Sequence, residues 1–325
     1  MITHTPVLLD RVIEFLELKP KMVVVDCTIG EGGHAYSILE RIPGGVLIGI
    51  ERDGELLKIA KERLKTFGEG FIPVHDSFEN IKKIVDQLGF GKVDRVFFDL
   101  GVSMYHFKKS GRGFSFYSDE PLDMRLDLSS KLTAYEVVNS FSKKKLAEII
   151  WAYGEERFSW RIADLIERER KKKPITSTLE LADIIMRAIP RKFWPKNIHP
   201  ATKTFQAIRI FINDEVEILE KALNDAVDVL KPGGRIVVIS FHSIEDRIVK
   251  NVFRGLAKGC TCPEDFPVCV CGGKKKLRIV TRKPVVPDES EKRDNPSSRS
   301  AHLRCAVKLN GDSSGYGENI NALAS

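Results

Sequence analysis

The sequence predicts an α/β protein with a mostly parallel sheet, interrupted by a helical insertion after the fourth strand. Over the first hundred residues, short β-branched runs alternate with longer helical patterns, as in βαβ units with right-handed crossovers. From about residue 113 to 214 the pattern is helical, and strand patterns return only near residue 235. An insertion at that point begins at the sheet edge where α/β proteins bind ligands.

Four strands are predicted before the insertion, at residues 22–27, 46–51, 71–75 and 93–99. Pro73 has no amide hydrogen to donate, which places the third strand at a sheet edge or a strand end. Helices are expected between these strands, up to about residue 41 and at residues 56–67 and 81–88.

The insertion contains amphipathic segments near residues 133–153, 157–172 and 178–189. After it, we predict a helix at residues 215–230 and a Lys-Pro-Gly-Gly turn at residues 231–234. Three strands follow, at residues 235–241, 277–283 and 303–309. We therefore expect a discontinuous α/β domain formed by residues 1–112 and 215–310. Residues 113–214 would form a helical insert, and residues 311–325 a flexible, polar tail.

Composition excludes several classes of protein. The chain has 325 residues, 42% of them hydrophobic and 30% charged, so it has enough apolar material for a large core. No apolar run reaches the roughly 18–20 residues that span a bilayer, and the first residues lack a secretion signal. Six cysteines in a chain this long do not indicate a secreted disulfide framework. These observations predict a soluble, cytoplasmic protein.

The net charge of +7 comes from a local excess of basic residues. Residues 187–209 contain no acid and six cations, namely Arg187, Arg191, Lys192, Lys196, Lys203 and Arg209. The same stretch carries three aromatic residues that could stack on unpaired bases, Phe193, Trp194 and Phe205. A second basic region covers residues 274–283. Basic residues with aromatics between them favour a polyanion partner, nucleic acid first. On charge alone, a solvated face is equally consistent.

A glycine-rich turn follows the first predicted strand. Gly30, Gly32 and Ala35 fit the pattern G-x-G-x-x-A, and Glu51 ends the second strand about 20 residues later. Glycines at a strand-to-helix turn let the backbone approach a ligand. This pattern predicts an adenosine cofactor, but it does not separate NAD from other cofactors of that kind.

Three acids lie at or next to the ends of the first, second and fourth predicted strands, namely Asp26, Glu51 and Asp99. Each alone is equally consistent with a helix cap or a surface salt bridge. Together they form an acidic rim, which repels a diphosphate and attracts the sulfonium and ammonium groups of S-adenosylmethionine. The rim therefore favours S-adenosylmethionine over NAD.

Several ordered motifs resemble one bacterial family. They are His4–Leu9, Gly30–His34, Asp99–Ser103, Arg112–Phe116, Pro121–Arg125, Tyr153–Phe158, His199–Thr202, Thr204–Ala207 and Ser240–Ser243. Across about residues 4–309 the chain is similar to the RsmH (MraW) methyltransferases, which modify the exocyclic N4 of a cytidine in 16S ribosomal RNA of the small subunit. The resemblance implies a class I methyltransferase fold with a helical insert and S-adenosyl-L-methionine as cofactor.

By motif position, the resemblance implies seven cofactor contacts, Gly32, Gly33, His34, Glu51, Phe78, Asp99 and His106. The sequence departs from the family at two of these positions. Related sequences commonly have Ser-Pro-Gln where this chain has Met104-Tyr105-His106, and Glu51 replaces the commoner Asp.

Asp99 is the candidate catalytic residue. An acceptor for one N–H of the cytosine amine would localise its lone pair and later receive a proton, and we expect Asp99 or an adjacent backbone carbonyl to do this. His242 either borders the base pocket or is a satisfied histidine beside a helix start at Ser243.

The clustered cysteines leave one alternative open. Cys260, Cys262, Cys269 and Cys271 could bind zinc, but their C-x-C pairs depart from the usual C-x-x-C spacing, and no metal is predicted.

Two other functions compete with an RNA cytosine-N4 methyltransferase. The glycine spacing also suits an NAD-dependent oxidoreductase, which the acidic rim and the basic insert disfavour. The third alternative is a non-catalytic RNA-binding assembly factor, which the intact glycine turn and the three acids disfavour.

Overall fold

The computed structural model describes residues 6–196, 198–259, 262 and 273–310. In that part of the chain the strands form one seven-stranded sheet, with the order β3-β2-β1-β4-β5-β7-β6. The strands are β1 (Val23–Asp26), β2 (Val46–Glu51), β3 (Phe71–His75), β4 (Val93–Asp99), β5 (Leu230–Ser240), β6 (Leu277–Ile279) and β7 (His302–Lys308). The first five pair in parallel, and β7 runs antiparallel to β5 and β6. The predicted α/β class with a mostly parallel sheet is confirmed, and β3 is an edge strand.

The direction of the strand order reverses at β1. The chain moves outward from β1 to β2 and β3, then returns to place β4 and β5 on the other side of β1. Ligands of open α/β sheets bind at such a reversal, beyond the carboxyl ends of the strands. Asp26, Glu51 and Asp99 are the last residues of β1, β2 and β4, so the topology brings these three strand ends together.

Helices connect the strands and fill the long interval between β4 and β5. They are α1 (Leu9–Leu16), α2 (Gly33–Leu39), α3 (Gly54–Leu64), α4 (Ile81–Gln87), α5 (Met104–Lys108), α6 (Ala134–Ser140), α7 (Lys143–Gly154), α8 (Ser159–Arg170), α9 (Thr178–Ala188), α10 (Thr202–Asn213), α11 (Glu217–Val229), α12 (Ser243–Lys258) and α13 (Glu289–Asp294). Short 3₁₀ turns lie at Lys65–Gly70, Phe78–Asn80, Arg191–Phe193 and Pro296–Ser300.

Two hydrophobic clusters cover the two faces of the sheet. Alternate residues of β4 point to opposite sides: Val96 and Phe98 pack with α4, α11 and α12, whereas Phe97 packs with α1, α2 and α3. A third cluster, from Phe114 to Ile212, is built by helices α6 to α10 and the loop before them. The segment between β4 and α11 therefore has an apolar core of its own.

Two predicted elements differ in the structure. The segment at residues 133–153 is split into α6 and α7, because the Ser142 side chain accepts from the Lys145 N–H and starts a new helix. The predicted turn at residues 231–234 lies inside β5, where the pairing with β4 shifts register after Leu230.

Gly49 of β2 makes a close contact that a side chain would disrupt. A Cβ at this position would lie 2.2 Å from Ile29 Cδ1 and 2.8 Å from Phe71 Cε2. We expect Gly49→Ala to lower the free energy of unfolding by about 1–3 kcal/mol through overpacking, as measured by urea denaturation. Gly255→Ala is the control: that site is open and helical, so the change should raise stability by about 0.5–1 kcal/mol. Equal stabilities for the two variants would contradict this account of the sheet.

Candidate active site

A cavity of about 380 Å³ opens at the carboxyl ends of β1, β2 and β4. These strands and the loops after them form one wall, and α10 and the start of α12 form the opposite wall. Six of the seven expected cofactor contacts line it, namely Gly33, His34, Glu51, Phe78, Asp99 and His106. Gly32 is not among the lining residues.

The glycine turn shapes the floor of the cavity. Gly30 and Gly32 have φ angles of +53° and +79°, in the left-handed region that glycine adopts without strain. A Cβ at Gly33, the first residue of α2, would lie 2.9 Å from Pro6 Cγ. Gly32 thus turns the backbone towards α2, while Gly33 keeps the N-terminal segment close to the cavity.

His34 and Asp99 form the polar centre of this wall. The His34 Nε2 lies 2.9 Å from the Val7 carbonyl oxygen, which can only accept, so Nε2 carries a proton. The other ring nitrogen, Nδ1, lies 3.4 Å from Asp99 Oδ2. Among the residues described, Asp99 Oδ1 is buried without a hydrogen-bond partner. With the ring proton on Nε2, Nδ1 is an acceptor, so it can bond to Oδ2 of a protonated Asp99 carboxyl. Oδ1 of Asp99 is left for a ligand.

The environment of Asp99 disfavours its charged form. Burial raises the pKa of Asp99 well above its usual range, and the nearby carboxylates of Asp26 and Glu245 raise it further. A cation in the cavity would lower this pKa again, because it would favour the ionised carboxylate.

Asp26 lies behind the cavity wall and not on it. Its side chain is fully buried, and it is absent from the cavity lining. The expectation that Asp26 binds a cationic part of the cofactor is therefore not met by direct contact. Its Oδ1 accepts from the Thr28 N–H at 3.1 Å. Asp26 acts on the site through its charge, by raising the pKa of Asp99.

Glu51 shapes the turn as well as lining the cavity. Its two carboxylate oxygens accept from the backbone N–H groups of Gly30 and Asp53, each at 2.9 Å. Burial raises the pKa of Glu51 despite these contacts. The side chain thus joins the end of β2 to the glycine turn beside it.

A buried network holds His106 at the edge of the cavity. Asp53 Oδ2 accepts from the Arg112 guanidinium and from His106 Nε2, the latter at 2.9 Å. Although burial opposes it, hydrogen bonds from His106 and Arg112 lower the pKa of Asp53 to about 2. The His106 Nδ1 is buried and has no hydrogen-bond partner in the described ranges.

The insert is joined to the cofactor side of the cavity through Asn213, at the end of α10. Its side chain accepts from the Leu126 N–H at 2.8 Å and donates to the carbonyls of Met124 and Arg209 at 2.8 and 2.9 Å. Its own carbonyl accepts from Arg52 Nη1, just beyond β2, at 2.6 Å. These hydrogen bonds therefore connect the end of α10 to the loop at residues 124–126 and to the residue just beyond β2.

His242 lines the cavity from the other side and also caps α12. Its Nδ1 accepts from the Glu245 N–H at 3.4 Å, so Nε2 carries the proton of the neutral ring. Nε2 lies 3.1 Å from Glu245 Oε1 but makes no hydrogen bond within the structure's described residues. His242 itself, and not Ser243, is the cap of α12, and it also lines the cavity. That this part of the cavity receives a base stays a prediction.

The basic stretch at residues 187–209 is partly neutralised in the fold. Arg187 pairs with Asp183 and Glu169 at 2.9 and 3.4 Å, and Arg209 makes a bidentate pair with Glu215 at 2.9 and 2.8 Å inside the cavity. Residues 187–209 contain no acid, but acids just outside this stretch, in α8, earlier in α9 and in the turn after α10, pair with its arginines.

The three aromatic residues of this stretch differ in how far their side chains are exposed to solvent. Phe205 is 4% exposed and packs on Phe116, so the expectation that Phe205 stacks on RNA bases is wrong. Trp194 is partly buried, and its Nε1 donates to the Ile189 carbonyl at 2.9 Å. Phe193 is 42% exposed, with the Arg157 guanidinium 4.2 Å from the centre of its ring.

Some lining residues were not predicted from the sequence. Asp76 and Ser77 follow β3 and face the same cavity. An acid directly after a predicted strand was a signal for Asp76, because all parallel strands end at this edge. Gln206 and Glu215 had no such signal, since helices far along the chain bring them here.

The four clustered cysteines fall mostly outside the described residues. Cys260, Cys269 and Cys271 lie there, and Cys262 is described as a free thiol. No group of three or more metal-ligating side chains is found in the described ranges. Within the same ranges, no helix has the length and apolarity to cross a membrane.

Asp26 predicts a pH dependence of stability. Burial raises the pKa of Asp26 from 3.8 to about 7, so between those values the folded chain holds a proton that the unfolded chain has lost. This contribution to stability is full below pH 4 and is lost as the pH rises through 7. Asp26→Asn removes the titration. We expect wild type to lose about 3 kcal/mol relative to the variant between pH 5 and 8.5, at roughly 1.4 kcal/mol per pH unit below the folded pKa, measured by urea denaturation. A difference that is constant with pH would contradict the burial of an ionisable Asp26.

The chain is similar to known proteins along nearly its whole length. The model of the MraW methylase family matches residues 1–309. Ribosomal RNA small subunit methyltransferase H from Carboxydothermus hydrogenoformans is 52% identical over 307 residues, covering 94% of this chain and 98% of that protein. Its namesake from Geobacter sulfurreducens is 50% identical, covering 94% and 99%. The crystal structure of an rRNA methylase from Streptococcus thermophilus is 12% identical, with a TM-score of 0.43 over 95% of this chain and 100% of that one. This chain belongs to the MraW methylase family.

Proposed function

We propose that this protein transfers the methyl group of S-adenosyl-L-methionine to the exocyclic N4 of a cytidine in the 16S ribosomal RNA of the small subunit. Membership of a methylase family, with relatives named as ribosomal RNA methyltransferases, supports the reaction and the class of substrate. The observation that carries the proposal is the buried, partnerless Oδ1 of Asp99 at the point where the strand order reverses. Such a substrate also implies a cytoplasmic location.

The cavity suits a cation better than a diphosphate. Asp99 and Glu51 line it, and Asp26 adds negative charge from behind. S-adenosyl-L-methionine supplies an electrophilic methyl group on a sulfonium and carries an ammonium, and both charges favour such a cavity. We assign cofactor binding to Gly33, His34, Glu51, Phe78, Asp99 and His106, with Gly32 acting through the shape of the turn. Family membership and this charge disfavour the NAD-dependent oxidoreductase.

His106 can contribute one polar atom to the cofactor. Its Nε2 is held by Asp53 at 2.9 Å, and its Nδ1 is buried without a partner in the residues described. Because the ring lines the cavity, Nδ1 is available to a bound adenosine. The Asp53 and Arg112 contacts fix the orientation of the ring.

Asp99 is the residue we place at the chemical step. The cytosine amine is a weak nucleophile, because its lone pair is delocalised into the ring. An ionised Asp99 accepts one N–H of the amine, localises that lone pair and takes up the proton after transfer. The raised pKa of Asp99 means that a cation in the cavity must first favour the ionised form. Alignment of the two reactants supplies the larger part of the acceleration, potentially ~7–11 kcal/mol.

The opposite wall is suited to hold the target base. His242, whose Nε2 faces Glu245 Oε1 at 3.1 Å, lines this wall together with Gln206 and Arg209. The target base must leave its stack to reach Asp99, which costs a few kcal/mol if it is paired. Donors on this wall would offset part of that cost by bonding to the base.

The helical insert is proposed as the RNA-recognition domain, at residues 113–214, between the parts of the cofactor domain at 1–112 and 215–310. Its separate apolar cluster supports this division. Among the six basic candidates, Arg187 and Arg209 are engaged in ion pairs and Lys203 donates to the Glu155 carbonyl. Arg191, Lys192 and Lys196 are therefore the stronger candidates for RNA contact in this stretch.

Methylation of unmodified small subunits tests the function directly. The protein is incubated with isotopically labelled S-adenosyl-L-methionine and small ribosomal subunits that lack the modification, and the nucleosides are then mapped by mass spectrometry. We expect N4-methylcytidine at one site of the 16S RNA. Label in another nucleoside would overturn the N4 assignment, and no label at all would favour the non-catalytic assembly factor.

Removal of the Asp99 carboxylate tests its catalytic role. We expect Asp99→Ala to lower the single-turnover rate on small subunits by about 10²–10⁴-fold, because the acceptor for the amine proton is lost. Asp86→Ala, an exposed carboxylate of α4 outside the cavity, should leave the rate unchanged. Full methylation by Asp99→Ala would contradict the role.

Cofactor choice is tested by calorimetry. We expect S-adenosylmethionine and S-adenosylhomocysteine to bind and NAD not to bind, because its diphosphate would face Asp99 and Glu51. Binding of NAD without binding of S-adenosylhomocysteine would overturn the cofactor assignment.

A further inference from the structure

A second cavity, of about 290 Å³, lies between α12 and the β6–β7 edge of the sheet. Its lining contains four cationic side chains and no acid, namely Lys250, Arg254, Arg282 and Arg304 together with Phe253, Ile279 and Thr281. Neither the cofactor site nor the insert includes any of these residues. We propose that this basic cavity binds phosphates of the ribosomal RNA strand that carries the target cytidine, an inference that rests on the proposed function.

Arg304 forms a fixed floor for the cavity. Its side chain is 9% exposed, and Asp246 holds its Nε and Nη2 at 2.7 and 2.9 Å. Its Nη1 has no hydrogen bond to any described residue. A buried guanidinium that is oriented by one carboxylate and retains free donors is suited to bind an oxyanion.

Lys250, Arg254 and Arg282 surround this floor without ion pairs in the described part of the chain. Among the described residues, Asp246 is the acid that pairs with a lining cation, and it offsets one of the four positive charges. A net charge of about +3 around a concave surface focuses an attractive field on a polyanion. An RNA backbone supplies repeated phosphates for several such cations at once.

Helix α12 connects this cavity to the active site. It begins at Ser243, beside the cavity-lining His242, and carries Arg247, Lys250, Arg254 and Lys258 at helical spacings of three and four. At 1.5 Å per residue, Lys250 and Arg254 lie about 10 and 16 Å along the helix from its start. A strand whose target base enters the active site can therefore reach these cations with its flanking nucleotides.

The insert contacts the first turns of α12, before Lys250. Glu155, at the end of α7, accepts from the Ser243 hydroxyl at 2.6 Å and from Arg247 Nη2 at 2.9 Å. These contacts occupy Arg247, so the phosphate-binding part of α12 starts at Lys250. RNA held by the insert and RNA held by α12 would thus lie on either side of the active site.

Neutralisation of the three exposed or half-exposed cations tests the proposal. In the triple variant Lys250→Gln, Arg254→Gln and Arg282→Gln, we expect the Kd for small subunits and for naked 16S RNA to rise at least tenfold at moderate salt. The slope of log K against log salt should fall by about 2, at roughly 0.7 per lost phosphate contact. A matched control is the triple variant Lys19→Gln, Lys82→Gln and Lys83→Gln, which removes the same charge at exposed positions away from the cavity.

Two further measurements separate this proposal from the proposed function. Affinity for S-adenosylhomocysteine and the single-turnover rate at saturating subunits should stay at the wild-type values in the cavity variant, since it leaves the active site intact. Direct RNA binding tests the cavity even if wild type transfers no methyl group. Equal affinities and salt slopes for the two triple variants would overturn the proposal. A loss with intact subunits but not with naked 16S RNA would also overturn it and would indicate an acidic protein partner.

Discussion

The concentration of negative charge at the carboxyl ends of β1, β2 and β4 is the constraint on which the rest of this structure depends. Burial raises the pKa values of all three groups, Asp26, Glu51 and Asp99. The charge of Glu51 further raises the pKa of Asp26, and that of Asp26 further raises the pKa of Asp99. Three buried or half-buried carboxylates cost free energy unless they are paired or protonated. The described chain offers backbone N–H groups to Asp26 and Glu51 and places a histidine beside Asp99. Among the described residues, one oxygen of Asp26 and one of Asp99 are left without a hydrogen-bond partner. A doubly cationic ligand relieves this arrangement, whereas an anionic one would aggravate it.

The insert is coupled to this charged centre by hydrogen bonds as well as by apolar packing. Asn213 joins α10 to the loop at Met124–Leu126 and, through Arg52, to the end of β2. Arg112 bonds the same loop and Asp53, which caps α3. The surface proposed to hold RNA is thus attached to residues that shape the cofactor side of the cavity.

Much of the sheet could be predicted because its signals are local. The β-branched runs of β1, β2 and β4, the proline in β3 and the glycines after β1 each indicate their conformation through neighbouring residues. Parallel order then follows from the intervening helices, and it brings the strand-end acids together. Contacts such as Arg209 with Glu215, or Asp53 with Arg112, give no comparable signal, because the partners' geometry depends on how helices and loops pack. The burial of Phe205 was missed for the same reason: a basic, aromatic stretch has one composition whether its aromatic ring faces solvent or the helical core.

The sequence by itself determined the α/β class, the position of the insertion, the family and the residues at the strand ends, because periodicity and ordered motifs are properties of neighbouring residues along the chain. The tertiary structure alone decided which acids reach the cavity. It placed Asp26 behind the wall and Asp99 on it, since burial depends on the register of adjacent strands. It also decided which cations stay available. Acids from outside the basic stretch neutralise Arg187 and Arg209, whereas Lys250 and Arg254 lie around a cavity at the far edge of the sheet. Charge acts through space over a few ångströms, and only the folded chain sets those distances.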